Sequence, residues 1–429
     1  MVERTSISAG ALLGVLGLCG STAGAEVGVG SIGPEGEEHG LAILCAKALV
    51  TEDALAIDRA VVLIRDGRIE GVHAQDERAI PAEYEVLDVG RNWVLPGLVD
   101  LHSHVGGSRD YNGAIYQTNT GLRVKTAVEP GSSPLRRGVA GGVTSILFIP
   151  GSATAMGGEG ILLKPSGETY EEAVLRDPGS LKLAQADNPK RWGYGMGRLL
   201  INWQIRDTLR RGVAYAKKWQ AHEENGGDEP AVEPQWEIFR ALLRREAQVS
   251  AHTQVAQVVA MTVRQVVAEA GLPLYIDHGT FDGFLAAEFA EQHEVPAILG
   301  PRSISAQNKG RGIDHDGRIV GVAAEYQRRG HTRIGFNTDA PVVPQEELTL
   351  QSAMGVRYGF DDQDGGTVLG LTRVPAQTAG IDDRVGSLEP GRDADLIVVA
   401  GHPSDPRNAV QLVLVAGEIV YDAKEERLW

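Results

Sequence analysis

Eight short apolar segments alternate with amphipathic stretches through the middle of this chain, and that alternation restricts its fold more than any other feature. The segments are residues 93–100, 143–149, 160–163, 180–184, 248–251, 273–277, 296–299 and 332–336. Each has the length and bounding turn residues of a buried strand. The clearest amphipathic segment between them is 255–271. It places Val255, Val258, Val259, Val263, Val266 and Val267 on one helix face, and Gly271 suits its C-terminal cap. Eight strand–helix units over roughly 250 residues predict an α/β fold, a (β/α)8 TIM barrel. In such a barrel the chemistry sits at the C-terminal ends of the strands.

Both flanks of the barrel look like β-structure. Ala60-Val-Val-Leu-Ile-Arg65 precedes the turn signal Asp66-Gly67, and Asp395-Leu-Ile-Val-Val399 and Leu412-Val-Leu-Val415 repeat the texture near the other end. Neither flank buries a core alone, so the two are expected to form one small β-sandwich domain built from both chain ends. The division expected is a signal peptide at 1–25, the N-terminal sandwich part at 26–94, the barrel at 95–383 and the C-terminal sandwich part at 384–429. The signal peptide rests on Arg4, the apolar run from Ala11 to Cys19 and the cleavage site Ala23-Gly24-Ala25. It predicts a periplasmic or secreted protein. The apolar run is too short to span a bilayer, which takes about 20 residues, so no membrane association is expected after cleavage.

Composition removes other classes. A formal charge of −16 does not suit a protein that coats nucleic acid or docks on an anionic membrane. Two cysteines cannot make a disulfide scaffold, and cleavage would leave only Cys45, a small buried hydrophobe. The expected partner is a small-molecule substrate, and a homo-oligomer is left open.

The strongest motif is Leu95-Pro-Gly-Leu-Val-Asp-Leu-His102-Ser-His104. Side chains alternate along a strand, so two histidines one residue apart face the same side and can chelate one cation. His252, His278 and Asp339 stand at the ends of the fifth, sixth and eighth segments. Four imidazoles and a carboxylate at C-terminal strand ends point to zinc or a similar divalent ion.

With these residues the chain resembles the metal-dependent amidohydrolase superfamily, in particular the branch related to imidazolonepropionases and prolidase-like dipeptidases. Pro96-Gly-Leu-Val-Asp-Leu-His-Ser-His104 is similar to the family's first-strand signature. Gly386-Ser-Leu-Glu-Pro-Gly-Arg-Asp-Ala-Asp-Leu396 is similar to its return into the sandwich. The resemblance implies that His102, His104, His252, His278 and Asp339 are metal ligands. It also implies one or two divalent ions, with a second ion bridged by a carboxylated lysine on the fourth strand. Lys182 stands there and is the favoured bridge; Lys164, at the end of the third segment, competes with it. Glu159 precedes its segment and is expected at the wrong end of the barrel.

The implied reaction is amide hydrolysis on a dipeptide, an N-acyl compound or a cyclic amide. Hydroxide held by the metal attacks, Asp339 acts as general base and then acid, and His278 holds the metal or polarises the carbonyl. Alternatives are an imidazolonepropionase-like ring opening, a deaminase, or a non-catalytic barrel used for binding. Deaminases of the superfamily carry a glutamate three residues after the fifth-strand histidine, and Val255 stands there instead. Arg302 and His315 are candidate substrate contacts. The Trp-rich insertion 187–245 reads as helical packing or a lid. The Gly-rich run 151–160 lacks the phosphate-loop lysine and reads as a loop at the barrel mouth. His39, His73, His222, His293, His331 and His402 read as surface residues.

Overall fold

Both chain ends enter one sheet. The computed structural model describes residues 40–50, 55–185, 188–192, 197–301, 303–306, 319–426 and 428. The expected signal peptide lies outside the described residues. Strands β1 (Gly40–Leu49), β2 (Ala56–Arg65), β3 (Arg68–Ala74), β4 (Tyr84–Asp88) and β5 (Trp93–Pro96) come from the N-terminal flank.

The barrel follows with β6 (Leu98–Ser103), β7 (Val143–Phe148), β8 (Met156–Leu163), β9 (Val174–Ala184), β10 (Gln248–Thr253), β11 (Leu274–His278) and β12 (Ala297–Leu299). A two-stranded ribbon, β13 (Ile304–Ala306) and β14 (Ile319–Gly321), precedes the last barrel strand, β15 (Ile334–Phe336). The C-terminal flank supplies β16 (Leu396–Val399), β17 (Val410–Val415) and β18 (Glu418–Asp422).

The terminal sheet has the order β18-β17-β16-β5-β1-β2-β3, with β4 also paired to β1. The two flanks join where β5 runs antiparallel to β16, in register from Leu396 opposite Pro96 to Val399 opposite Trp93. Both flanks thus contribute strands to one sheet. The strands lie in one hydrogen-bonded sheet, and a two-layer sandwich is not clearly formed.

The expected first barrel strand, 93–100, is divided at Gly97. Its first part belongs to the terminal sheet and its second to the barrel. A Cβ at Gly97 would lie 1.9 Å from Thr144 Oγ1, so only glycine lets the chain cross there.

The barrel sheet has eight strands in the order β15-β12-β11-β10-β9-β8-β7-β6. All neighbours are parallel except β8, which is antiparallel to both β7 and β9. A uniform (β/α)8 repeat is thus corrected at the third strand. Only residues 149–155 connect β7 to β8, too few for the crossover that parallel neighbours need, so β8 must run back. The sheet closes nearly completely through a parallel bridge between Ser103 and Ala340. The barrel interior and its helix-facing surface are lined by Val, Ile, Leu, Ala and Phe that are almost fully buried.

The reversal decides where Lys164 goes. It follows β8 and emerges at the end away from the histidines, where its Nζ lies 2.8 Å from Asp393 Oδ2 and 2.9 Å from Asp395 Oδ2. These pairs are buried and tie the barrel to the terminal sheet. Breaking such a pair strands the remaining charge. Lys164→Ala is expected to lose about 3 kcal/mol of stability in denaturant unfolding, near the low end of the range because Arg384 still pairs with Asp393. The metal bound per folded molecule is expected to stay unchanged, measured by elemental analysis of the same samples.

Candidate metal centre

The closing seam brings the first and last barrel strands into contact at the mouth. His104 N donates to Ala340 O over 2.7 Å, which sets the His102-x-His104 pair beside Asp339. His102 Nε2 lies 3.3 Å from His104 Nε2, and both nitrogens lie 3.3 Å from Asp339 Oδ1. Among the described residues these three offer ligand atoms within 4.8 Å of one another.

The other expected ligands close the cluster. Lys182, from β9, places Nζ 3.3 Å from His102 Nε2. His278 ends β11 with Nε2 4.0 Å from Asp339 Oδ2, and its ring lies 4.4 Å from that of His102 and 4.0 Å from that of His252. His278 and Asp339 have φ of 71° and 50°, a left-handed conformation rare outside glycine. Each costs on the order of 1–3 kcal/mol and persists because its surroundings hold it. At β11 this backbone interrupts the usual alternation, so that Asp277 and its neighbour His278 both approach His102.

Three of the four imidazoles have an outward hydrogen-bond partner at Nδ1, and the fourth, His102, has the Asp277 carboxylate beside it. His104 Nδ1–H donates to Ile149 O over 2.8 Å, and His278 Nδ1–H to Gly300 O over 2.7 Å. His252 Nδ1 pairs with Ser152 Oγ at 2.6 Å, and His102 Nδ1 lies 3.0 Å from Asp277 Oδ2. A proton on Nδ1 leaves the Nε2 lone pair free. His252 Nε2 and His278 Nε2 are buried with no hydrogen-bond partner among the described residues. Such orphaned acceptors are costly unless something binds them, and a divalent ion fits this nitrogen and oxygen donor set.

Burial holds His278 down at about 4, His252 well below its usual range and His104 lowered. These three rings are therefore neutral at physiological pH, as metal ligation requires. Burial also pulls His102 down, but Asp277 and Asp339 more than offset it and leave it raised. Burial lowers Lys182 to about 8. Burial would raise Asp339, yet the adjacent His102 and His278 hold its carboxyl well below the carboxylate range, so it is ionised.

The site gathers all six expected metal residues: His102, His104, Lys182, His252, His278 and Asp339. Lys164 is not among them. Glu159 lies within β8, not before it, and its buried carboxylate pairs with Arg123 at 3.1 Å. Arg302 and His315, the expected substrate contacts, lie outside the described residues. His331 is not a surface residue: it is buried beside Glu291, with Nδ1 3.3 Å from its carboxylate.

Within the insertion, Arg198–Asn225 forms one long helix. Trp219 is buried under Arg240 while Trp203 is exposed. Half of the Gly-rich run is strand β8 itself, and only 151–155 is loop.

Three contributors escaped the sequence analysis. Asp277 carried a signal, as a charged residue inside the apolar run Leu274-Tyr-Ile-Asp-His. Ser152 carried none. Tyr111, from the loop after β6, stacks on His104 with ring centroids 5.8 Å apart, and loop aromatics have no periodicity to reveal them. Tyr111 also borders a cleft of about 480 Å³ lined by Asn112, Leu122, Val124 and Pro150.

The comparisons with known proteins agree with this geometry. Residues 331–421 match the model described as the Amidohydrolase family. The amidohydrolase tasK of Hapsidospora irregularis is 26% identical over 84% of this chain, and the chain spans only 40% of that protein's length. The imidazolonepropionase of Klebsiella pneumoniae subsp. pneumoniae is 25% identical over 87% of this chain and 91% of its own. The solved structure of an amidohydrolase from Thermotoga maritima MSB8 superposes with a TM-score of 0.76 at 28% identity, covering 89% of this chain and all of that one.

A ligand that binds only the folded state stabilises it by about 2.7 kcal/mol at 100 times its Kd. Zn2+ added to metal-stripped protein is therefore expected to raise the thermal midpoint. His104→Ala is expected to remove most of that rise. Equal rises in both proteins would contradict the assignment.

Proposed function

We propose that this chain is a hydrolase of the amidohydrolase family acting on carbon–nitrogen bonds, and that it cleaves the amide of a small substrate with the help of one or two divalent ions, Zn2+ foremost. The substrate class is a dipeptide, an N-acyl compound or a cyclic amide. The single observation that carries this is the cluster of inward Nε2 atoms beside the ionised carboxylate of Asp339.

His102, His104, His252, His278 and Asp339 would hold the metal. A divalent ion there supplies Lewis acidity towards the carbonyl and lowers the pKa of water towards about 7. Asp339 does the proton work. It is the most exposed of the clustered carboxylates, with 17% of its side chain accessible against none for Asp277, so water and substrate can reach it. Its carboxylate accepts the proton of the attacking water and returns it to the leaving nitrogen. His278, whose Nε2 lies 4.0 Å from that carboxylate, would hold the metal or help polarise the carbonyl. Lys182, with Nζ 3.3 Å from His102 Nε2, would be the residue to hold a second ion in place. Its burial keeps part of the amine neutral, the form that takes up carbon dioxide as a carbamate. Arg302 and His315 remain the proposed substrate contacts.

A second form of the reaction is ring opening of a cyclic amide, favoured by the Klebsiella imidazolonepropionase matching nearly end to end. A deaminase lacks support because Val255 replaces the proton-shuttling glutamate. The barrel, whose first strand starts at Leu98, would carry the reaction, and the proposed leader at 1–25 would direct the protein to the periplasm or outside the cell. Among the described residues no helix is long and apolar enough to cross a membrane.

The test is a screen of the zinc-loaded protein against dipeptides, N-acyl amino acids and cyclic amides. On any substrate found, Asp339→Asn is expected to lower kcat by about 10²–10⁴-fold, the usual worth of a general base. A variant that keeps its metal and its kcat would remove Asp339 from the mechanism.

A further inference from the structure

The reversed strand β8 leaves a loop, 149–155, that crosses the barrel mouth where a regular barrel would have started a helix. Its glycines do not cradle phosphate, so the Gly-rich run needs another explanation. The loop touches two of the clustered histidines. Ile149 O accepts from His104 Nδ1, and Ser152 Oγ pairs with His252 Nδ1 at 2.6 Å. His104 follows β6 and His252 lies on β10, with three strands between them in the barrel order.

The loop itself is held at several points. Ile149 N donates to Ser103 O over 3.1 Å, Gly151 N to Asn112 Oδ1 over 2.8 Å, and Ala184 N to Ala155 O over 2.9 Å. Gly157 admits the return of the chain, since a Cβ there would lie 2.8 Å from Pro150 Cβ. Ser152 is thus presented to His252 from an anchored frame.

We propose that Ser152 is a positioning residue for the metal centre, accepting the Nδ1 proton of His252 and so aiming the Nε2 lone pair into the cluster. This rests on the metal-centre reading of the proposed function. A neutral imidazole carries one N–H, and the partner of that N–H decides which nitrogen is free and how the ring is turned. His252 is the one clustered histidine whose outward partner is a side-chain hydroxyl. A single substitution can therefore remove that partner without touching the backbone.

The test titrates Co2+ into metal-stripped, full-length protein and follows visible absorption. In Ser152→Ala the Co2+ dissociation constant is expected to rise roughly 10–100-fold, the usual cost of losing such a partner, and the absorption band to change shape. Ser152→Thr keeps the hydroxyl and is expected to restore both. His252→Ala sets the full effect of losing the ligand. The metal-stripped Ser152→Ala is expected to melt somewhat below the metal-stripped wild type, because a buried N–H loses its partner, while still unfolding in one cooperative transition. An unchanged affinity and spectrum in Ser152→Ala overturns the inference and leaves the metal centre standing. An equal loss in Ser152→Ala and Ser152→Thr also overturns it, because the effect would then lie in the loop backbone. A wild-type protein that takes up no Co2+ overturns the metal centre along with it.

Discussion

The seam between the first and last barrel strands is the constraint on which the rest depends. Ser103 bridges Ala340, and His104 N donates to Ala340 O. Residues more than 230 positions apart in the chain, His102, His104 and Asp339, meet because the sheet closes there. No local propensity produces that meeting. It follows from eight strands curling until the edges pair, which also removes the exposed edges of the sheet. The terminal sheet supports the same end of the chain. β5 leads directly into β6, and its partner β16 comes from beyond the barrel, so both flanks fix the entry to the first barrel strand.

Within the mouth, burial and orientation act together. Burial keeps His104, His252 and His278 neutral, and backbone carbonyls hold the remaining proton of His104 and His278 on the outer nitrogen. The inner nitrogens of His252 and His278 have no hydrogen-bond partner among the described residues, which favours an incoming cation. The left-handed backbone at His278 and Asp339 adds strain to the same place. A site that is costly when empty and relieved when filled is the arrangement expected of a metal centre.

Much of this was legible in the sequence. Seven of the eight segments and the second half of the first became barrel strands, and the six residues expected at the metal site lie together, because strand ends in a barrel share one face. The third strand was legible in part. The short interval between 149 and 160 left no room for a crossover helix, which already required a return strand. Reading Glu159 as lying before its strand and Lys164 as near the site both followed from assuming a parallel third strand. Gly97 hid the division of the first strand because the apolar run continues through it. Ser152 and Tyr111 could not be found from pattern at all. A loop residue's contact depends on three-dimensional closure, and a single serine or tyrosine carries no periodicity. His331 was misjudged because burial beside Glu291 comes from helix packing, not from its position along a strand.

The central claim is that His102, His104, Lys182, His252, His278 and Asp339 form one centre that binds a catalytic divalent ion. Anomalous diffraction from crystals of the zinc-loaded protein tests it most directly. The account predicts one or two zinc peaks within this cluster, with Zn–N distances of about 2.0–2.1 Å to the inward Nε2 atoms. The absence of a peak there, or zinc bound only at surface residues, would contradict it.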